Sequence, residues 1–295
     1  MNRMLSVLVT GATGKQGGAV ADALLSKGHV VRVLTRRPDS PAAAALRQRG
    51  AEIAIGSFDD EASLRRAMEG QDSVFAVSTF LESGVEAEVK QGRALVDAAK
   101  AAGIGHFVYT SVGSADQATG IPHFDSKFAV EQYLKEQGVP HTILAPVYFF
   151  ENLFFPQSLA ALNNGVYAAP LPAGRKLAQI AVTDIGAFGA LALSRRDAFL
   201  GRRIDLASDD LTGEEQAAAL SRVLGREISY YEIPLAAIKA QSEELAIMYD
   251  WFNRVGYSVD TAALRRDYPE VGWHTFEGWA KKQDLAALGV TGKKD

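Results

Sequence analysis

The chain has 295 residues, 47% of them hydrophobic and 22% charged, with a formal net charge of −4. That composition supports a sizeable buried core, while the charge offers no field for gripping nucleic acid or an anionic membrane. With no cysteine, thiolate and disulfide chemistry is excluded, and the five histidines form no H-E-x-x-H pair, so no metal site is expected.

The apolar stretch ahead of the first glycine is only a strand long, which argues against a signal peptide. No window approaches the roughly 18 apolar residues of a membrane span, so a soluble cytoplasmic protein is expected. Leu5–Val9 reads as a buried strand and Gln16–Ser26 as a helix closed by Gly28. Val30–Leu34 is a second strand, Pro41–Arg49 an alanine-rich helix and Ala51–Ile55 a third strand. Asp59 or Asp60 caps a helix running to Met68, and Ser73–Val77 is the fourth strand. Ala87–Ala102 is a long helix, Gly105–Thr110 the fifth strand, and Phe124–Gln137 with Thr142–Ala145 another helix and strand.

Strands of near-continuous Val, Ile, Leu and Phe, separated by helices, predict a parallel sheet covered on both faces. Right-handed crossovers then give a doubly wound α/β domain over residues 1–150. After Pro146 the rhythm changes. Tyr148–Leu153 is aromatic, and Gly165–Gly174, rich in Gly, Ala and Pro, reads as a loop. Thr183–Ser194 and Thr212–Leu224 read as helices, Arg203–Ala207 and Glu227–Ile233 as short strands. These segments predict a smaller α/β lobe over residues 151–295, interleaved with the first domain and packed at its sheet's C-terminal edge.

In VTGATGKQGGAV, Gly11, Gly14 and Gly17 follow the first strand and open the first helix. Gly11 permits a turn in which a Cβ would clash. Gly14 lets backbone approach a diphosphate, and Gly17 lets the helix press on the sheet. The helix N-terminus offers N–H groups and partial positive charge. A dinucleotide is therefore predicted against Thr10, Gly11, Thr13, Gly14, Lys15, Gln16 and Gly17, in preference to a simple tight turn.

The end of the second strand, VRVLTRRPDS, selects among dinucleotides. Thr35, Arg36 and Arg37 stand where an acid would hold the ribose hydroxyls of NAD, and Asp39 lies beyond Pro38. Two guanidinium groups and a hydroxyl suit a 2′-phosphate, so NADP(H) is predicted over a merely solvated basic turn. Phe58 and Asp59 follow the third strand, where an adenine edge would fall. Val77, Ser78 and Thr79 follow the fourth, where the nicotinamide ribose and diphosphate would pass.

The loop GATGKQGG, the TRRP turn and HFDSKFAVEQYLKEQGVPHTILAPVYFFENL together resemble the NmrA-like group of atypical short-chain dehydrogenase/reductases. LTGEEQAAALSRVLGREISYYEIP and a tail with Tyr249, Trp251, Phe252, Gly256 and Tyr257 extend the likeness to roughly Trp279. The resemblance implies a Rossmann domain binding NADP(H) and a small C-terminal substrate lobe. It also implies two functional kinds: NADPH-dependent reductases of quinones, dyes or other conjugated compounds, and redox sensors that bind NADP(H) and report to a partner protein.

Ordinary short-chain dehydrogenases use Tyr-x-x-x-Lys, whose lysine orients the nicotinamide ribose and lowers the tyrosine pKa. None of the nine tyrosines here has a lysine four residues later. Lys127 is on the expected helix, but His123 stands four residues before it. Either Lys127 holds the ribose while His123 or water supplies protons, or Lys127 anchors the cofactor of a site that never turns over. Ser111, at the end of the fifth strand, polarises a substrate carbonyl or serves the turn. Pro146, Tyr148, Phe149 and Asn152 leave the sixth strand where the nicotinamide should lie. Phe80, Tyr148, Phe149, Phe150 and Trp251 are candidates for a flat apolar slot.

The leading expectation is an NADPH-dependent reductase of a quinone-like or azo/dye-like acceptor, and the alternative is a non-catalytic NADP(H) sensor. A biosynthetic reductase or isomerase is a third possibility that these residues do not separate from the first. The partners this reading admits are the aromatic substrate, a second copy of the chain as a homodimer, and a regulatory protein.

Overall fold

Strand and helix alternate in the computed structural model, which describes residues 3–290. Up to Pro146 the elements are β1 (Ser6–Val9), α1 (Lys15–Ser26), β2 (Val30–Thr35), α2 (Pro41–Gln48), β3 (Glu52–Ile55), α3 (Glu61–Met68), β4 (Ser73–Val77), α4 (Gly84–Ala101), β5 (His106–Thr110), α5 (Pro122–Glu136) and β6 (His141–Pro146). Next come β7 (Tyr148–Phe149), α6 (Pro156–Asn163), β8 (Val166–Ala169), β9 (Leu177–Ile180), α7 (Val182–Ser194), α8 (Arg196–Phe199) and β10 (Arg203–Leu206). The chain ends with β11 (Asp209–Leu211), α9 (Gly213–Leu224), β12 (Ser229–Glu232), α10 (Leu235–Gln241), α11 (Glu243–Arg254), α12 (Thr261–Asp267) and α13 (Phe276–Ala280).

Two compact units result. The first comprises the chain up to Pro146 with Ile185–Asp205, and the second Val147–Asp184 with the chain from Leu206 on. In the first unit a seven-stranded sheet has the order β10-β6-β5-β4-β1-β2-β3. The pairs among β1 to β6 are parallel, and β10 runs parallel to β6, with Ile143 N donating to Arg202 O and Val147 N to Leu206 O. Val7, Leu8, Val9, Val74, Phe75, Ala76, Phe107 and Val108 are all fully buried, so these strands carry apolar side chains on both faces, as covered parallel strands must. Local chemistry sets the helix starts. Ser40 caps α2 just before Pro41, and Asp60, not Asp59, caps α3 through Ser63 N at 3.1 Å.

One stretch departs from the sequence reading, and one detail is added to it. Residues 185–205 group with the first unit, so the later chain alternates between the two units. A central reason is Arg203 on β10, whose Nε donates to the buried Glu131 of α5 at 3.1 Å while its other nitrogens donate to Asp205 and Val112 O. The stretch 165–174, expected to be a loop, contains β8, which pairs in parallel with β12. Its alanines and glycine hid a strand because a two-stranded ladder needs little side-chain bulk.

In the second unit a three-stranded sheet has the order β11-β9-β7 and a two-stranded sheet the order β12-β8. Its core gathers Phe150, Leu153, Leu162, Leu220, Phe276 and Trp279. Thr212 and Glu215 form a reciprocal capping box at α9. Asp184 ties distant segments together, accepting from Ser208 Oγ at 2.5 Å, His274 N at 2.9 Å and His274 Nδ1 at 2.6 Å.

His106, fully buried on β5, bonds Thr142 Oγ1 at 2.8 Å, and burial lowers its pKa from 6.5 to about 4. The unfolded chain takes up this proton first, so the stability the neutral imidazole contributes is complete above about pH 6.5 and is lost as pH falls towards 4. Between pH 7 and pH 4 the unfolding free energy should fall by about 3 kcal/mol more than that of His106→Gln. Denaturant titration across that range checks it, and parallel curves would refute it.

Candidate functional site

The strand order reverses between β1 and β4, and ligands of open α/β sheets bind in the crevice beyond the strand ends at such a point. A pocket opens there in the first unit. Gly11 and Thr13 of the glycine turn line one side, with Thr35, Arg36 and Arg37 of the β2 end. Gly56–Asp59 after β3 and Val77 and Thr79 around the end of β4 complete it, together with Glu82 and Gln91.

The glycine turn is built on backbone proximity. Gly11 has φ +61°, and a Cβ at Gly17 would lie 2.5 Å from Gly11 C and O and from Thr10 O. No side chain caps α1, and no acidic residue stands in its first turn. The helix therefore presents its N-terminal dipole to the pocket without an internal anion, the arrangement that receives a phosphate. Lys15 is exposed at the first helical position.

Two of the residues predicted to meet the nucleotide also bond the scaffold. Thr10 is fully buried, its Oγ1 accepting from Val77 N at 2.8 Å and donating to Val77 O at 3.1 Å, which locks the turn to β4. Gln16 Oε1 accepts from Thr110 Oγ1 at 2.7 Å, tying α1 to β5. Thr35 Oγ1 accepts from Arg37 N at 3.1 Å and so shapes the arginine turn. Arg36 reaches across to Glu82, 2.5 Å away. Glu82 and Gln91 went unforeseen because nothing in the pattern of a helix start announces which neighbouring turn will face it.

The donor set fits a dinucleotide with a 2′-phosphate: bare backbone at the diphosphate position, two guanidinium groups at the adenosine ribose, and no acid on the β2 end to repel the phosphate. Asp59 lines the pocket from the β3 side. A second, open depression is lined by Arg32, Arg66 and Glu69, where Arg32 is bonded to Glu52 and to the carbonyls of Ala67 and Glu69 and no glycine turn is present.

Lys127 and His123 sit on the first turns of α5. Lys127 Nζ donates to Ser78 O at 3.1 Å and to Glu88 Oε1 at 2.8 Å, so it reaches the C-terminal end of β4. Phe80 stacks on His123 with ring centroids 4.7 Å apart, and Phe124 meets the imidazole edge-on at 5.0 Å. The structure thus brings a predicted substrate residue onto a predicted catalytic one. Ser111 is buried, its Oγ facing the Glu131 carboxylate without a partner at full bonding geometry.

Glu88 is a further residue that sequence reasoning missed. A signal existed: it lies one turn before Gly92 on the α4 face that buries Gly92, Leu95, Val96 and Ala99, so a charge stands on an otherwise apolar stripe.

In the second unit, Tyr148 OH and Tyr249 OH lie 3.2 Å apart, and Phe252 contacts both rings edge-on. Burial pushes both phenols up, so they stay neutral hydrogen-bonding groups rather than phenolates. Asn152 lies near the Tyr148 hydroxyl, Phe149 is half-buried, and Pro146 is buried at the end of β6. Phe150 is 1% exposed and packs on Phe276 and Trp279, which makes it a core residue. Trp251 is buried against Phe252 and Tyr257. Glu151 has a structural task, accepting from Val182 N and from Trp279 Nε1 at 3.0 Å. Among the described residues no cluster of three His, Asp or Glu could hold a metal, and no helix is long and apolar enough to cross a membrane.

Known proteins resemble this chain in sequence and fold. The NAD(P)H azoreductase of Xenophilus azovorans is 32% identical over 235 residues, 79% of each chain. The crystal structure of the Escherichia coli NADPH-dependent quinone oxidoreductase QOR2 complexed with NADPH matches with a TM-score of 0.77 at 27% identity, over 93% of this chain and 98% of that one. NmrA, a negative transcriptional regulator solved in complex with NADP, shares the fold with a TM-score of 0.80 at 21% identity, over 97% of both chains. Matched over residues 4–280 by the model of the NmrA-like family, the chain belongs to that family.

Proposed function

We propose that the protein is an NADPH-dependent reductase that delivers hydride to a flat conjugated acceptor of the quinone or azo class. The observation that carries the reading is the uncapped helix start beside Gly17 with the Arg36–Arg37 pair at the far end of one pocket. The relatives named above, a quinone oxidoreductase and an azoreductase, support the acceptor class.

When bound, NADPH supplies a hydride from its nicotinamide ring. The chain's share is binding and orientation. Backbone amides at the start of α1 hold the diphosphate, and Arg36 and Arg37 hold the 2′-phosphate through charge-assisted bonds. Lys127 donates to a nicotinamide ribose hydroxyl, and His123, fixed between Phe80 and Phe124, hands a proton to the reduced acceptor. A conjugated acceptor spreads the arriving charge over its ring system, so positioning supplies much of the rate and no Tyr-x-x-x-Lys pair is required.

Mixing the protein with NADPH and a panel of quinones and azo dyes should give acceptor-dependent loss of NADPH absorbance. Tight NADPH binding without turnover on any acceptor would overturn the reductase assignment.

A further inference from the structure

The buried carboxylate of Glu88 is unused by the function above. It is fully buried, yet it is surrounded by donors: Lys127 Nζ at 2.8 Å and Ser78 Oγ at 3.2 Å on Oε1, and Ser126 Oγ at 2.5 Å on Oε2. Ser78 Oγ in turn bonds Tyr109 OH at 3.0 Å. An isolated carboxylate would be costly at such depth, whereas one with an ammonium and two hydroxyls around it is fully engaged.

Helix packing holds this cluster in place. Gly92 of α4 meets Val130 of α5 so closely that a Cβ there would lie 2.5 Å from Val130 Cγ2. Four residues earlier on both helices stand Glu88 and Ser126, with Lys127 adjacent. The crossing point therefore sets the carboxylate against the lysine.

We infer that Glu88 is a positioning residue that, together with Ser78 O, holds Lys127 Nζ with one N–H directed at the nucleotide's ribose. An ammonium has three donors. Two are taken by Glu88 and Ser78 O, and the side chain remains 12% exposed at the crevice end of β4, where the third can meet a ligand. Held in this way, Lys127 serves to orient the ribose, and proton delivery falls to His123 or solvent. The titratable groups around it are few. Glu88 faces it from α4, Tyr109 from β5 through Ser78, and His123 and Glu131 stand a turn before and after it on α5, Glu131 being held by Arg203. The inference rests on the nucleotide reading given above.

Calorimetric titration with NADPH at pH 7 and pH 9 tests it. The unaltered protein should bind with the same affinity at both. Glu88→Gln keeps the shape but removes the charge, leaving the largely buried Lys127 without a counter-ion, which disfavours its charged form. The variant's affinity should be about threefold weaker at pH 7 and about tenfold weaker at pH 9, approaching but not exceeding the loss in Lys127→Met. Lys127→Met should cost about tenfold with no pH dependence, and adding Glu88→Gln to it should change nothing further. A flat pH response in Glu88→Gln at wild-type affinity overturns the role of Glu88, and absence of binding by the unaltered protein overturns the nucleotide reading along with it. Should Glu88→Gln not fold, Glu88→Asp decides: it keeps the charge but shortens the reach to Lys127, and NADPH affinity unchanged in it overturns the inference.

Discussion

Replacing Gly17 with alanine should unfold the front of the first unit. The new methyl would stand 2.5 Å from three backbone atoms of Thr10 and Gly11, and backbone cannot step aside as a side-chain tip can. The cost expected is about 3 kcal/mol, at the upper end of overpacking penalties. Gly14 is the informative contrast. It has φ −105° and ψ −176°, which any residue adopts, and its Cβ would lie 3.3 Å from Gly11 O. Gly14→Ala should therefore keep most of its stability and lose nucleotide affinity instead, because the methyl occupies the side of the turn the diphosphate approaches. Denaturant unfolding and calorimetric binding on both variants separate the two effects. A Gly17→Ala protein as stable as the parent would remove the close approach from the explanation of the motif.

Converting Arg36 and Arg37 together to alanine should weaken NADPH binding by about 10²-fold and leave NADH within about threefold. Each charge-assisted bond to phosphate is worth roughly 1.5–3 kcal/mol, and solvent exposure of the pair lowers the sum. Arg36 also gives up part of its gain, since it must release Glu82 to engage the phosphate. Calorimetry with the two coenzymes reads the preference directly. Equal losses for both would detach these arginines from the 2′-phosphate and with it the assignment of NADPH.

The glycine spacing, the arginines after β2 and the lysine on α5 were all legible as residues because each is local, set by its place just past a strand or at the opening of a helix. The roles of Thr10 and Gln16 were not. Both look like loop ligands, and both turn out to bond Val77 or Thr110, strands far along the chain. The Y-F-F-E-N-L segment shows the same divide. Its aromatic character marked it for a ligand slot, yet Phe150 and Glu151 are held by Phe276, Trp279 and Val182, partners that no local pattern names.

By itself the sequence determined the alternation of strand and helix, the parallel sheet and the glycine turn at the start of α1, since hydrophobic period and glycine placement act over neighbouring residues. Only the tertiary structure decided that residues 185–205 return to the first sheet, that Arg36 meets Glu82, and that Glu88 lies under Lys127. Those pairings depend on helix crossings and strand order, so their partners are brought together by packing and not by distance along the chain.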